Sequence, residues 1–128
     1  MPILAQPSRL LGKFLALVAI TPSLLVLPLN AETRCGWLAN PTPGNWWLTD
    51  RDATWTISTQ GSANRAQNME LIPDISAKQY VKVNGNYGYG CACMDVATNS
   101  KRKRITAIKS FEQLNLEVCR NDKALSKP

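Results

Sequence analysis

The chain has 128 residues, a formal net charge of +6 and 45% hydrophobic residues, which suits a single domain with a modest core. It contains no histidine, the commonest general base of enzymes, and no phosphate-binding loop, G-x-S-x-G elbow or metalloprotease motif. This mildly basic balance favours anionic surfaces but is too small to single out nucleic acid, and no nucleic-acid ligand is expected.

The amino-terminal segment has the layout of a secretory signal peptide. Arg9 and Lys13 form a basic start, residues 14–29 are almost wholly apolar, and the segment ends in the small residue Ala31. We therefore expect a Sec-type signal peptide that is cleaved after Ala31, and a protein that is periplasmic or secreted.

The expected domains are a signal peptide over residues 1–31 and a single exported domain over residues 32–128. The signal peptide would then be the chain's only contact with a membrane, and a transient one. The alternative is an uncleaved membrane anchor. Pro22 and Pro28 disfavour the anchor, because they interrupt an apolar run that is near the lower limit of about 17 residues for a span.

All four cysteines lie in the exported part, at Cys35, Cys91, Cys93 and Cys119. An even number in a small exported domain predicts two disulfide bonds. Cys91 and Cys93 are not expected to pair, because side chains two apart in a strand lie about 7 Å apart along it. One should pair with Cys35 and the other with Cys119, in an order left open. A zinc site is not expected, because the chain has no histidine and C-x-C lacks the spacer of two to four residues that zinc-binding cysteines usually have. No other metal and no cofactor are expected.

The first half of the exported part predicts short strands joined by turns. Residues 34–38 form a first strand, and the two prolines of residues 40–45 indicate a rigid turn. Residues 46–49 and 54–58 then predict a hairpin around the turn 50–53.

Alternation along this hairpin separates its two faces. Trp47 points away from the core, together with Thr49, Thr54 and Thr56. An indole on a threonine-lined face is a candidate ligand platform, and the alternative is that Trp47 packs under a loop. The opposite face supplies the expected core residues, which are Trp46, Leu48, Trp55 and Ile57.

The middle of the chain predicts a loop over residues 59–68 and a short strand over residues 69–72. Residues 73–76 follow as a cap, which should start one helical turn that reaches Gln79.

Asn84-Gly85 between extended segments predicts a type I′ hairpin, because both turn residues need a positive φ. The expected register sets Val83 opposite Asn86, Lys82 opposite Tyr87 and Tyr80 opposite Tyr89. The second arm would then present glycines on one face, and a tryptophan of the first hairpin is expected to cover them. Opposed residues share a face, so the hairpin has two faces. The first face carries Tyr80, Lys82, Tyr87, Tyr89, Cys91 and Cys93. The second face carries Val81, Val83, Gly88, Gly90, Ala92 and Met94.

This strand is expected to continue to Ala97 and to turn at residues 98–100. A returning strand over residues 105–108 follows, with Asp95 paired to Arg104 across the hairpin. After Ser110, a loop and a short helix over residues 116–122 would deliver Cys119, and the tail 123–128 is expected to fray.

The run Lys101-Arg102-Lys103-Arg104 sits at a predicted hairpin tip and can grip phosphate, lipopolysaccharide or an acidic protein surface. The alternative is a solvated charge run. Asp50 and Asp52 are candidate paired carboxylates or calcium ligands, although acidic residues in a hairpin tip are typical turn formers.

Several blocks of the chain together resemble a bacterial family of small exported proteins known as domain of unknown function 4087. The resemblance spans about residues 34–122 and implies an exported, cysteine-bearing protein with no assigned activity. The blocks that carry it are Arg34-Cys35-Gly36-Trp37, Asn40-Pro41-Thr42-Pro43, Asn45-Trp46-Trp47-Leu48, Trp55-Thr56-Ile57-Ser58 and Asn84 to Met94.

The sequence thus predicts a mainly β or small α+β fold: an antiparallel sheet of hairpins with one or two short helices, stapled by two disulfide bonds. The leading functional hypothesis is a non-catalytic module that binds an anionic envelope polymer or a periplasmic protein. A small hydrolase that uses Asp50, Asp52 or Asp95, or a purely structural role, is the alternative. No catalytic residue is assigned, and the candidate ligand contacts are Trp47, Tyr87, Tyr89, Lys101, Arg102, Lys103 and Arg104.

Overall fold

The structure is a computed structural model that describes residues 12–13, 15–22 and 31–128. Most of the predicted signal peptide, including the residues just before the cleavage expected after Ala31, lies outside the described residues. Its cleavage therefore stays a prediction. Within the described ranges, no helix combines the length and the apolar character that crossing a membrane requires.

Strands dominate the described part of the chain, which confirms the predicted mainly β fold with a few short helices. Two 3₁₀ helices of one turn each, Met69–Leu71 and Ile75–Ala77, stand between the third and fourth strands. The strands and the α-helix are β1 (Ala31–Thr42), β2 (Asn45–Thr49), β3 (Thr54–Ser58), β4 (Val81–Asn84), β5 (Tyr87–Asn99), β6 (Arg104–Leu114) and α1 (Leu116–Arg120).

Strand β5 is the centre of the sheet, because it pairs with three other strands. One of its edges pairs with β1, from Ala31↔Ala97 to Asn40↔Gly88. Its other edge pairs with β6 and, near its start, with the short β4. The order β1-β2-β3-β6-β5, together with the β1–β5 pairing, closes five strands into a barrel.

The pairing is antiparallel except between β3 and β6, which meet in parallel at Thr56↔Arg104. The sheet is therefore mostly antiparallel, as predicted, and mixed at one seam. A small five-stranded barrel that is partly open is the architecture that the OB fold exemplifies.

The barrel interior is filled by apolar side chains that alternate inward along the strands. The fully buried ones include Leu38 of β1 and Met94 of β5. The first hairpin contributes three buried residues of the four predicted, and Trp46 is partly buried against them. These three are Leu48, Trp55 and Ile57.

A second apolar cluster lies outside the barrel, where α1 packs on the sheet. Trp37, Cys91, Leu116 and Cys119 are buried there, and Leu125 packs against them. The tail is therefore packed as far as Leu125, and the expectation that it frays from residue 123 is wrong for this segment.

The two disulfide bonds are Cys35–Cys93 and Cys91–Cys119, which confirms that each cysteine of the C-x-C pair reaches outward. Cys35 and Cys93 are directly opposed residues of β1 and β5, with their Cα atoms 4.0 Å apart. Cys91 is fully buried and ties β5 to α1. Side-chain alternation along β5 puts Cys91 and Cys93 on the outer face of the barrel. Cys93 pairs with Cys35 of the neighbouring β1, and Cys91 pairs with Cys119 of α1, which packs on that face.

The short strand predicted over residues 69–72 is wrong, because Met69–Leu71 is a 3₁₀ helix. Asn68 stands before it with a left-handed φ of 63°, and the backbone N–H of Ile72 donates to the carbonyl of Met69. The helical turn predicted at the Pro73–Ser76 cap is confirmed, but it covers Ile75–Ala77 and does not reach Gln79. There the carboxylate of Asp74 accepts from the N–H of Ser76.

The boundaries of three other elements differ from the prediction, because β-pairing extends beyond the local apolar pattern. The first strand runs on to Thr42, so the rigid turn shrinks to Pro43 and Gly44, whose φ of 73° favours glycine. The returning strand extends to Leu114, where a loop was expected.

The predicted register of the β4–β5 hairpin is wrong by one residue. Val81 lies opposite Tyr89 and Lys82 opposite Gly88, with an irregularity before the Asn84–Tyr87 pair. In this turn only Gly85 has a positive φ, whereas a type I′ turn needs two such residues. A slip of one residue exchanges the faces of a strand. Tyr80 accordingly packs on the barrel core and Val81 on the outer cluster.

The faces predicted for β5 are confirmed from Tyr89 to Met94, but Tyr87 lies apart from Tyr89. A tryptophan does not cover the glycines of β5. The backbone of β4 crosses directly over Gly88, where an added Cβ would collide with the carbonyl oxygen of Val81. Glycine is needed at position 88 because the backbones of β4 and β5 approach too closely there for any side chain.

Gly36 in β1 marks a second close approach, and we expect Gly36→Ala to lower the free energy of unfolding by about 2–3 kcal/mol. Its methyl group would collide with the backbone carbonyl of Thr49, which cannot swing away as a side chain can. Gly90→Ala is the matched control, since the nearest atoms to its added Cβ lie at 3.5 to 3.8 Å. The control should be neutral or slightly stabilising. Urea unfolding compares the two, and equal losses would contradict the role of the carbonyl.

Candidate functional site

Trp47 lies in a groove on the outer face of the barrel, which we call the aromatic groove. Its floor is a row across three strands. Ala39 of β1 is directly opposed to Tyr89 of β5 on one side and to Trp47 of β2 on the other. Since strands are spaced by about 4.8 Å, the two aromatic residues are rooted about 10 Å apart over a methyl-sized floor. The groove has a volume of about 580 Å³ and is also lined by Trp37, Pro41, Thr49, Thr54, Val83, Gly88 and residues 126–128.

One wall of the aromatic groove is held by an aromatic pair. Trp37 and Tyr89 meet edge to face, with ring centroids 5.3 Å apart and an interplanar angle of 88°. Trp37 is 5% exposed, so it fixes the ring of Tyr89 from below. Sequence reasoning did not single out Trp37, whose role depends on its pairing opposite Cys91 and Thr49.

The hydroxyl groups of Thr49 and Thr54 form the polar edge of the aromatic groove. They hydrogen-bond to each other at 3.0 Å across the β2–β3 hairpin. Trp47 therefore shares its face with all three threonines that were predicted beside it, because Thr56 is directly opposed to Trp47 in β3 and Thr49 to Thr54. Three indole or phenol rings next to hydroxyl groups make a surface that is largely apolar, with a few oriented donors and acceptors.

A second depression of about 620 Å³ continues the aromatic groove along α1 and the tail. It shares Trp37 and Tyr89 with the groove and is rimmed by Arg120, Lys123 and Lys127, beside Asp122. The apolar floor thus ends in a mainly basic rim.

Tyr87 does not join Tyr89, although the two residues are close in sequence. It stands at the first position of β5, beyond the last pair that β5 forms with β1, at Gly88. Tyr87 lines a different depression, of about 370 Å³, together with Trp46 and Tyr80.

The four side chains of the predicted basic tip do not all lie on one surface. Lys103 has a left-handed φ of 52°, and its Nζ lies 5.3 Å from the ring centroid of Trp55. Arg102 and Arg104 instead line a cleft together with Arg65, a residue that sequence reasoning missed. Lys101 is exposed at the turn.

Asp50 is buried at one end of the barrel, where it accepts hydrogen bonds from four groups. Arg34 Nη1 donates at 2.7 Å and Trp55 Nε1 at 3.1 Å, and the backbone N–H groups of Asp52 and Ala53 each donate at 2.9 Å. Burial alone raises the pKa of Asp50, but these hydrogen bonds outweigh it and hold the pKa below its ordinary value. Arg34 also lies 4.0 Å over the ring of Trp55.

Asp95 lies on the outer face and makes different contacts. The hydroxyl groups of Thr33 and Ser110 donate to its two oxygens, and these bonds lower its pKa. The predicted pairing of Asp95 with Arg104 is wrong. Asp95 lies opposite Ser110, whereas Arg104 lies opposite Asn99 and donates to the carbonyl of Asn64.

The three candidate carboxylates are therefore committed to local contacts. Asp50 and Asp52 both bind Arg34, whereas Asp95 bridges β1 and β6. In the part of the chain that the structure describes, no cluster of three or more His, Cys, Asp or Glu side chains could hold a metal ion.

A family model described as "Protein of unknown function (DUF4087)" matches residues 29–126. No curated protein matches the chain. No solved structure matches it either.

Proposed function

The chain belongs to the family described as a protein of unknown function, DUF4087, and we propose that it is a non-catalytic module that binds a saccharide polymer of the cell envelope in its aromatic groove. The observation that carries this proposal is the row Trp47–Ala39–Tyr89, in which two aromatic residues flank a floor of one methyl group.

The chemistry of the aromatic groove suits a sugar ring. A pyranose has an apolar face of C–H groups, which stacks on an aromatic ring, and an equator of hydroxyl groups. The half-buried Trp47 and the fixed Tyr89 supply ring surfaces, while Thr49 and Thr54 supply hydroxyl groups. Barrels of the OB type bind oligosaccharides or oligonucleotides on a comparable outer face, which is an analogy of fold only.

The state of the carboxylates supports a binding role over hydrolysis. A glycosidase needs one carboxyl group with a raised pKa to act as the acid and a second within about 5–10 Å. The pKa values of Asp50 and Asp95 are instead lowered, and both side chains are occupied by internal donors. Asp52 is held by Arg34.

Two disulfide bonds support a location in an oxidising compartment, since such bonds persist in exported proteins and are rare in the cytosol. With the export expected from residues 1–31, this makes the envelope the place where a ligand would be met.

We expect Trp47→Ala to weaken binding to purified peptidoglycan or to its soluble glycan fragments by about tenfold, because the largest ring surface of the groove is lost. Co-sedimentation or isothermal titration calorimetry measures the change. Tyr87→Ala is the matched control, since Tyr87 lines another depression and should leave the affinity unchanged. Equal affinity of Trp47→Ala and the wild type for the glycan would refute the groove as the glycan site.

A further inference from the structure

Three arginines line one cleft beside the tip of the β5–β6 hairpin. Arg65, Arg102 and Arg104 line this arginine cleft, which has a volume of about 440 Å³. Its other polar lining comes from Asn64, Asn99 and Thr106.

The fold holds the arginine cleft in place from two sides. The segment before the first 3₁₀ helix runs along β6, with Gln67 donating to the carbonyl of Thr106 and accepting from the N–H of Ile108. Ala66 is buried beneath it, so the neighbouring Arg65 has a fixed backbone. On the other side, the side chain of Asn99 accepts from the N–H of Arg102 and orders the hairpin tip.

The charges of the arginine cleft have no internal partner. Among the described residues, each of the salt bridges involves Arg34, and no carboxylate lines this cleft. Arg104 is held by the carbonyl of Asn64 and Arg65 contacts the sulfur of Met69, which leaves the positive charges uncompensated. Like charges gathered in one depression repel, and an anion that enters it relieves the repulsion.

We propose that the arginine cleft binds a phosphate group. A guanidinium presents a planar fork of donors that matches the oxygens of phosphate, and three such groups suit a tetrahedral dianion better than a single carboxylate. The side chains of Asn99 and Thr106 add neutral donors. The cleft shares no lining residue with the aromatic groove, so the two sites are independent. The phosphate can come from the free ion or from a phosphorylated lipid of the envelope.

Titration with inorganic phosphate, followed by isothermal calorimetry and by amide shifts of residues 64–65 and 99–106, tests this site. Arg65→Ala and Arg102→Ala should each weaken binding by roughly tenfold through loss of a charge-assisted bidentate contact. Arg102→Lys, which keeps the charge and loses the fork, should weaken it less. Lys101→Ala is the matched control, because Lys101 is a neighbouring cation that does not line the cleft.

An equal loss in Lys101→Ala would show general charge attraction and overturn the site, as would the absence of phosphate-dependent shifts at millimolar phosphate. Flotation with vesicles that contain phosphatidic acid, compared with pure phosphatidylcholine, separates a lipid headgroup from the free ion. Trp47→Ala should bind phosphate normally, so failure of the glycan proposal and failure of this one are distinguishable.

Discussion

Replacing Asp50 with alanine is expected to lower the free energy of unfolding by about 3–4 kcal/mol. Four donors lose their acceptor, and the buried indole N–H of Trp55 is left without a partner. Arg34 retains Glu32 and Asp52, which keeps the loss below that of a fully isolated charge. Urea unfolding at neutral pH measures the difference.

Asp50→Asn separates the shape of this residue from its charge. The amide oxygen can still accept from Trp55 and the turn, so we expect a smaller loss than for alanine. Arg51→Ala is a control for the turn itself, since Arg51 is exposed beside Asp50. An alanine variant as stable as the wild type would contradict the role of Asp50 as the acceptor that organises this end of the barrel.

The same contacts predict how stability depends on pH. The pKa of Asp50 is lower in the folded protein than its ordinary value of 3.8, so the unfolded chain binds the proton more tightly. The stabilisation is complete above the unfolded pKa and is lost as the pH falls through the folded pKa. Below about pH 4, the wild type should therefore lose stability more steeply than Asp50→Asn.

Removing the Cys91–Cys119 bond by paired alanine substitutions is expected to cost about 3.5 kcal/mol and to release α1. The loss follows from the loop that the bond closes, whose ends are 28 residues apart. Cys91 and Cys119 form half of the buried outer cluster, so Trp37 and Leu116 lose their neighbours with the bond. Chemical unfolding and amide hydrogen exchange measure the two effects.

Paired substitution of Cys35 and Cys93 is the control for this prediction. That bond closes a longer loop, whose ends are 58 residues apart, and should cost a similar free energy of about 4 kcal/mol. Its two strands remain paired on both sides of the bond, so exchange protection over residues 116–120 should persist. Loss of α1 in both variants would show that the helix depends on overall stability and not on its own bond.

Local signals in the sequence predicted the pieces of this fold well. The first hairpin, its core residues and the outward orientation of Cys91 and Cys93 all follow from alternation within a few residues. The register of the second hairpin did not follow from local signals. Tyr80 packs on the barrel core and Val81 on the outer cluster, and these tertiary contacts override the preference of Asn84-Gly85 for its own turn.

The sites depend on contacts that are distant in sequence, which limits how far a single sequence can predict them. Trp47 and its threonine face were predictable from one hairpin. Its neighbour Tyr89 is brought beside it only by the β1–β5 pairing, and Arg65 meets Arg102 only because a loop runs along β6. Neither pairing leaves a periodic pattern in the chain.

The pairing of β1 with β5 also determines the order in which the barrel can assemble. Hairpins such as β2–β3 can form as soon as their own residues are available. One edge of β1 has no partner until the chain reaches β5, and Cys35 meets Cys93 only 58 residues later. Ring closure thus has high contact order, which slows folding and leaves one edge of β1 unpaired until β5 arrives. The Cys35–Cys93 bond joins the two strands of this late contact, so its formation would convert a slow and reversible closure into a permanent one.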